Sequence, residues 1–303
     1  MSSHHAALAA LVLAACGARA PQHAELIASD KTWGNTEGPA LDSKGALFFC
    51  ARGSFKGIVE WTPAGGGRHY VAVDAVRGPG GLWFDDEDNI YVTGPGERKI
   101  FKVDRDKRVT VLAENFEPNP KQARGPNDLI LAPDKSIYFT DPNGFEGDGP
   151  PGTIYRLDPA GKVTVFDASV VGPNGITISQ DGKWIFVGGN VAKSTARITR
   201  LEIRADGSAG AKSEIATIPE CIADGMDIDR EGNIWLTCYS FGTAYRVSPD
   251  GRILDTVVTE QKALTNCQFG RGADAHSLYL TSSDMARETG YVYRIRTAVP
   301  GFR

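Results

Sequence analysis

Six copies of one short pattern run through this chain, and a chain that repeats itself at intervals of 42 to 50 residues has few folds open to it. The copies are EGPALDSKGALFF from Glu37, GGLWFDDEDNIYV from Gly80, NDLILAPDKSIYF from Asn127, NGITISQDGKWIF from Asn174, DGMDIDREGNIWL from Asp224 and NCQFGRGADAHSLYL from Asn266. Within each copy a second apolar run begins ten residues in, at Leu47, Ile90, Ile137, Trp184 and Ile234, and twelve residues in for the last, at Leu278. Only a fixed three-dimensional unit keeps such a register.

Each copy reads as a β-hairpin. A short inner strand leads into a turn rich in Asp, Gly and Asn (Lys44-Gly45, Asp88-Asn89, Asp181-Gly182, Gly232-Asn233) and then into a strand of aromatic and β-branched residues. Two further strand-like runs follow in most copies, such as KIFKV then VTVLA and TIYRL then VTVFD. Four strands per repeat of this length predict an all-β chain: a six-bladed β-propeller with four antiparallel strands per blade. The sixth copy ends at Arg303 with three strands, and the apolar run Ala24 to Ala28 ahead of the first copy is the expected fourth. That N-terminal strand would close the ring and remove the exposed edges of an open array. A single propeller domain is therefore expected over residues 22–303, the continuous repeat overriding the two domains that length alone suggests.

Composition agrees and narrows the function. The 35 glycines and 17 prolines suit many tight turns. A net charge of -4 without any Lys/Arg cluster argues against nucleic acid as a partner. Residues 1–21 are of another kind: Ala6 to Ala15 is apolar but too short to span a bilayer, and it runs into Leu13-Ala14-Ala15-Cys16-Gly17. This resembles a bacterial lipoprotein signal, although MSSHH lacks Lys and Arg. It predicts export to the periplasm or a lipid-anchored place in the envelope, with membrane attachment only through a lipidated Cys16; a cytoplasmic protein is the alternative. Pairing of Cys50, Cys221, Cys238 and Cys267 does not follow from their spacing, which matches no zinc motif; buried free thiols are the simplest reading.

The first residue of each copy carries the chemistry. That column reads Glu37, Gly80, Asn127, Asn174, Asp224 and Asn266, and equivalent inner-strand positions of a propeller converge on its axis. Polar side chains meeting in a narrow channel require partners, since an isolated buried carboxylate is costly to desolvate. A water-bridged plug is one solution. Two carboxylates with neutral carboxamides also form an all-oxygen set suited to one divalent cation, Ca²⁺ before Mg²⁺ or Mn²⁺, with Zn²⁺ less expected without His or Cys. Gly80 would leave one side of the ring open.

These residues resemble a known family. Gly125-Pro126-Asn127-Asp128-Leu129 with Tyr138-Phe139-Thr140-Asp141-Pro142, Pro173-Asn174-Gly175-Ile176, Asp224-Gly225-Met226 with Gly232-Asn233-Ile234-Trp235, and Thr36-Glu37-Gly38-Pro39 are similar to motifs of the senescence marker protein/gluconolactonase/luciferin-regenerating-enzyme-like lactonases, across residues 33–296. The resemblance implies Glu37, Asn174 and Asp224 as metal ligands, Asn127 as a further ligand or a holder of substrate and water, and Asp224 as the activator of the attacking water. It implies a metal-dependent hydrolase opening a small lactone of the sugar-lactone type, the metal polarising the carbonyl. Alternatives are organophosphate or aryl-ester hydrolysis at the same metal site, and a non-enzymatic binding propeller with a structural ion. Two departures stand out. None of His4, His5, His23, His69 and His276 lies beside a column residue, and where some members carry an Arg two residues before the Asn this chain has Gly125, with Arg124 one residue earlier as the candidate substrate clamp. The mouth is expected from segments 114–126, 141–152, 188–195 and 239–242, with Phe145, Tyr239 and Phe241 as apolar walls.

Overall fold

Alternating apolar residues need a second surface to bury against, and here each sheet finds it in the next sheet around a ring. The computed structural model describes residues 20–73, 78–118, 125–145, 147 and 149–302. The leader with Cys16, and Arg124, lie outside the described residues. Six sheets are formed, each built on four antiparallel strands, in chain order in blades 1 to 5. In blade 1 these are Thr36–Leu41, Leu47–Arg52, Lys56–Thr62 and Gly66–Ala72. Blades 2 to 5 start from the inner strands Leu82–Phe84, Leu129–Leu131, Ile176–Ile178 and Ile222–Ile228. Blade 6 is completed as expected: Glu25–Asp30 pairs antiparallel with Gly290–Arg296 beside Ser277–Ser283 and Ala263–Phe269. Each inner strand touches the next, and that of blade 6 touches that of blade 1, so the six-bladed propeller is closed. A two-residue strand, Gln22–His23, adds parallel to the outer edge of blade 5.

Burial falls from the axis outward. Thr36–Leu41 is buried throughout, whereas the outer strand Gly66–Ala72 is mostly exposed. The apolar core lies between blades: Phe48 and Ile58 of blade 1 pack with Leu82, Phe84 and Val92 of blade 2, the Phe48 and Phe84 rings meeting edge to face at 5.0 Å. At the far end of the channel the hairpin turns are held by side chains five residues beyond the column. Asp42, Asp85 and Asp229 each accept two backbone N–H bonds at 2.8–3.0 Å across the turn they open.

Near the axis, hydrogen bonds stitch each blade to the next. The hydroxyl of Thr93 in blade 2 donates to Asn127 O in blade 3 at 2.7 Å, and that of Thr140 in blade 3 donates to Asn174 O in blade 4 at 2.6 Å. Thr237 reaches Thr265 O at 2.8 Å, and Thr265 in turn reaches Thr36 O at 2.8 Å. Backbone bonds do the same: Gly81 N to Asn127 O and Gly175 N to Asp224 O, both 2.9 Å. This approach leaves no room for a side chain, since a Cβ on Gly175 would lie 2.2 Å from Asp224 O. The column is thus fixed by its neighbours' backbones.

One covalent clamp corrects the reading of the cysteines. Cys221 and Cys238 form a disulfide in blade 5, from the start of its inner strand to the end of the strand beside it, while Cys50 and Cys267 are buried free thiols. With its ends 17 positions apart in sequence, the closed loop predicts a stabilisation of about 3 kcal/mol. Reduction, or Cys221→Ser with Cys238→Ser, should lower the unfolding free energy by about that amount in a denaturant titration; identical curves with and without reductant would contradict the clamp.

Candidate active site

Column residues of three blades sit where inner strands break register. Bulges fall between Glu37 and Ala40, between Ala223 and Met226, and between Leu264 and Asn266. A bulge re-aims the side chains beside it, and those of Glu37 and Asp224 turn into the channel mouth, whereas Asn127 and Asn174 stand just before their inner strands. Glu37, Asn127, Asn174 and Asp224 all line one cavity of about 880 Å³ that opens to solvent. Asn35, Ile222 and Thr265 complete its floor. Its walls come from the connections between second and third strands, all six blades contributing: Arg52, Pro95, Phe145, Lys193 with Ser194, Tyr239 with Ser240, and Arg287.

The floor is short of positive charge. Glu37 and Asp224 are buried at 5% and 7% exposure, and Asp128, the residue after Asn127, at 6%. Desolvation raises the pKa of all three, most strongly for Asp224; charge repulsion from Glu37 adds to the rise at Asp224 and Asp128, and Asp128 reaches about 7. Opposing this are two guanidiniums, Arg52 first and Arg287 more weakly, the latter acting on Glu37. Arg52 Nη1 lies 3.9 Å from Glu37 Oε1, and its Nε donates to Pro79 O at 2.7 Å. Three buried acids thus face two guanidiniums, and their raised proton affinities are the mark of incomplete compensation.

Hydrogen bonds absorb part of this. Gly38 N donates to Glu37 Oε2 at 3.2 Å and Leu129 N to Asp128 Oδ1 at 2.9 Å. The Asn266 amide donates to Asp128 Oδ2 across the channel at 3.2 Å, and its hydrogen bond also eases Glu37. Asn266 is therefore a brace between carboxylates, the channel residue its place in the column suggested. Asn174 also hydrogen bonds to Asp224, yet its Oδ1 is buried without a partner. An orphaned carbonyl oxygen beside Asp224 is an unused electron-pair donor. Among the described residues no three His, Cys, Asp or Glu converge as a metal cage. A cage here has to draw on amide oxygens, and Asn174 has one to give.

Behind the floor, Asp141 positions the approach to Asn127. Its Oδ1 accepts from Gly125 N at 2.9 Å, and its Oδ2 pairs with Arg98. Arg98 in turn packs over the Phe116 ring at 4.4 Å and donates to the carbonyls of Phe116 and Pro118. Asn127 N then reaches Thr140 O at 2.7 Å, so the segment leading to the Asn is held at both ends.

Two expectations are corrected. Gly80 does not open the ring: Arg52 fills the space, and a Cβ on Gly80 would lie 3.0 Å from Arg52 Nη2 and 2.6 Å from Asn127 O. Phe241 is no cavity wall, because the turn at Ser240, with φ 68°, sends it into the apolar cluster between blades 4 and 5. Phe145 and Tyr239 do line the cavity, and His23, His69 and His276 do not. Arg52, Asp128 and Arg287 were missed. Arg52 and Asp128 had a signal: Asp128 stands where four copies have Gly, and Arg52, fifteen residues beyond Glu37, is the one charged residue at its place in the repeat.

With this geometry in hand, the chain's relatives can be placed. Residues 35–284 match the family model described as the SMP-30/Gluconolactonase/LRE-like region. The chain belongs to this family. A gluconolactonase from Zymomonas mobilis subsp. mobilis is 27% identical over 91% of this chain and 82% of its own length. Among solved structures, luciferin-regenerating enzyme superposes with a TM-score of 0.75 at 23% identity, covering 92% of this chain and 97% of that one. A calcium-binding protein, regucalcin, from Agrobacterium tumefaciens gives 0.74 at 22% identity over 93% and 97%. These two likenesses establish the family fold.

The charge imbalance predicts coupling. In chelator, Arg52→Met should destabilise the protein by about 2 to 3 kcal/mol, because it strands buried carboxylates. Adding Glu37→Gln should recover more than 1 kcal/mol of that loss. Additive effects of the two substitutions in a denaturant cycle would contradict the assignment of Arg52 as their counter-charge.

Proposed function

We propose that the cavity hydrolyses a lactone, with one divalent cation bound by Glu37, Asn174 and Asp224 and with Asn127 beside it as a fourth oxygen donor. The observation that carries this reading is the unpartnered Asn174 Oδ1 next to carboxylates in excess of their counter-charge, on the floor of a solvent-open cavity. An all-oxygen set favours Ca²⁺, with Mg²⁺, Mn²⁺ or Zn²⁺ as alternatives. The name of the Zymomonas relative, gluconolactonase, supports a sugar lactone as the substrate class.

When bound, the cation supplies a Lewis acid for the ester carbonyl and the missing positive charge. The chain's own groups do the rest. Asp224, buried on the cavity floor, takes the proton of the attacking water as the C–O bond forms. The same proton then protonates the ring oxygen as the acyl C–O bond breaks, giving the hydroxy acid. Asn127, with its backbone held on both sides by Thr140 and Thr93, orients the ring through its amide. Arg52 offers a buried N–H without a partner, Nη2, to a substrate oxygen. Arg124 is the further clamp suggested by the sequence. The disulfide and the Cys16 segment together favour an exported protein, in a compartment where Cys221 and Cys238 stay oxidised.

A pH-indicator assay of metal-loaded and chelator-treated protein tests the reading against aldonolactones, simple γ- and δ-lactones and an aryl phosphotriester. Turnover of lactones above the triester, lost in chelator and reduced about 100-fold or more in Asp224→Asn, is expected. Lactone hydrolysis by Glu37→Gln at the wild-type rate in chelator would sink it.

A further inference from the structure

The cavity floor handles the ester, and the walls must hold the rest of the substrate. Those walls are basic. Among the described residues lining the cavity, Glu37 and Asp224 on the floor are the only acids, whereas Arg52, Lys193 and Arg287 all face the same space. Neither Lys193 nor Arg287 forms a salt bridge with a described residue.

Arg287 is held for a purpose that its own blade does not explain. It sits at φ 61°, in the left-handed region that disfavours a side chain. A tight turn holds it there: Arg287 N donates to Asp284 O at 2.9 Å, and the Asp284 carboxylate accepts from Glu288 N and Thr289 N, each at 2.9 Å. Its guanidinium is then fixed from the next blade. Nε and Nη2 donate to Tyr239 Oη at 3.2 and 3.0 Å, with the ring centroid 5.7 Å away. A guanidinium carries five N–H donors, so most of this one remains for a ligand. Strain of this kind persists where the surroundings over-determine it and clusters at ligand sites. Ser194 and Ser240, at φ 57° and 68°, line the same wall.

The wall is continuous above Asp224. Cys221 N bonds Ser194 O at 3.1 Å, tying the blade 4 turn that bears Lys193 to the strand leading to Asp224; Tyr239 ties blade 5 to Arg287. We propose that the substrate is a lactone bearing an anionic substituent, a carboxylate, sulfonate or phosphate, held by Arg287 and Lys193 while the ester faces Asp224. The fork of Arg287 suits the planar or tetrahedral oxygens of such a group, and Lys193 adds a point charge. This inference rests on the lactonase reading for its scaffold, and the anion site stands on its own geometry.

The test compares metal-loaded full chain on D-glucaro-1,4-lactone and D-glucono-1,4-lactone, which differ by a carboxylate in place of a terminal hydroxymethyl group. The ratio of kcat/KM should favour the carboxylated lactone by about tenfold, the scale of a charge-assisted contact. It should fall toward unity in Arg287→Gln with Lys193→Gln and be partly restored by Arg287→Lys. A wild-type ratio at or below one, or a ratio the double variant leaves unchanged, overturns the inference. Calorimetric titration with glucarate and with uncharged glucitol separates the two readings: glucarate should bind about tenfold more tightly, with Arg287→Gln removing the difference and so excluding simple chelation of the metal. Glucarate discrimination without turnover of any lactone would remove the lactonase reading and keep the anion site; lactone turnover without discrimination would do the reverse.

Discussion

Everything at the channel mouth answers to one electrostatic constraint: Glu37, Asp128 and Asp224 are buried within reach of each other, with Arg52 close by and Arg287 more weakly to balance them. Burying one uncompensated carboxylate already opposes folding, and bringing three together compounds the cost. The fold tolerates this through the Asn266 brace, the backbone N–H groups of Gly38 and Leu129, and the Asn174 amide. What these leave over is an excess of negative charge beside an oxygen with no partner. The proposed divalent cation would resolve both at once, and the proposed catalysis follows from the same deficit.

The ring makes such a site possible. Blade-to-blade hydrogen bonds from Thr93, Thr140, Thr237 and Thr265 hold the column from both sides, so the donors cannot drift apart to relieve their repulsion. Glycines after the column let successive inner strands meet backbone to backbone. In blade 5 the disulfide starts three residues before Asp224 and fixes the strand that carries it. Preorganisation of this kind keeps oxygen donors aimed at one point before anything binds.

How far the sequence could be read divides along the same line. Features that recur with the repeat were legible: six blades, the Asp and Gly turns, the closing N-terminal strand and the four cavity residues Glu37, Asn127, Asn174 and Asp224. Features that break the repeat were not. Arg52 reaches from blade 1 across Gly80 of blade 2, a contact that no spacing encodes, and so the glycine was taken for a gap. Asp128 replaces the glycine of four other copies, a departure from the repeat that marks a third carboxylate. Phe241 failed because one left-handed residue, Ser240, reverses which side of the chain faces the cavity. Cys221 and Cys238 are neighbours only because the blade 5 hairpin folds them together, in a register that starts at Ile222 and Tyr239. Arg287 lies in the blade 6 connection equivalent to segments 141–152, 188–195 and 239–242 of the expected mouth, but turn geometry, which spacing does not encode, places its side chain.

The imbalance of charge is the claim on which the catalytic reading stands, and metal binding tests it without reference to turnover. Thermal unfolding of chelator-treated protein should shift upward on titration with Ca²⁺, saturating at one ion per chain by elemental analysis, and Asn174→Ala should weaken that shift markedly. No shift with Ca²⁺, Mg²⁺, Mn²⁺ or Zn²⁺, with no ion retained, would contradict it.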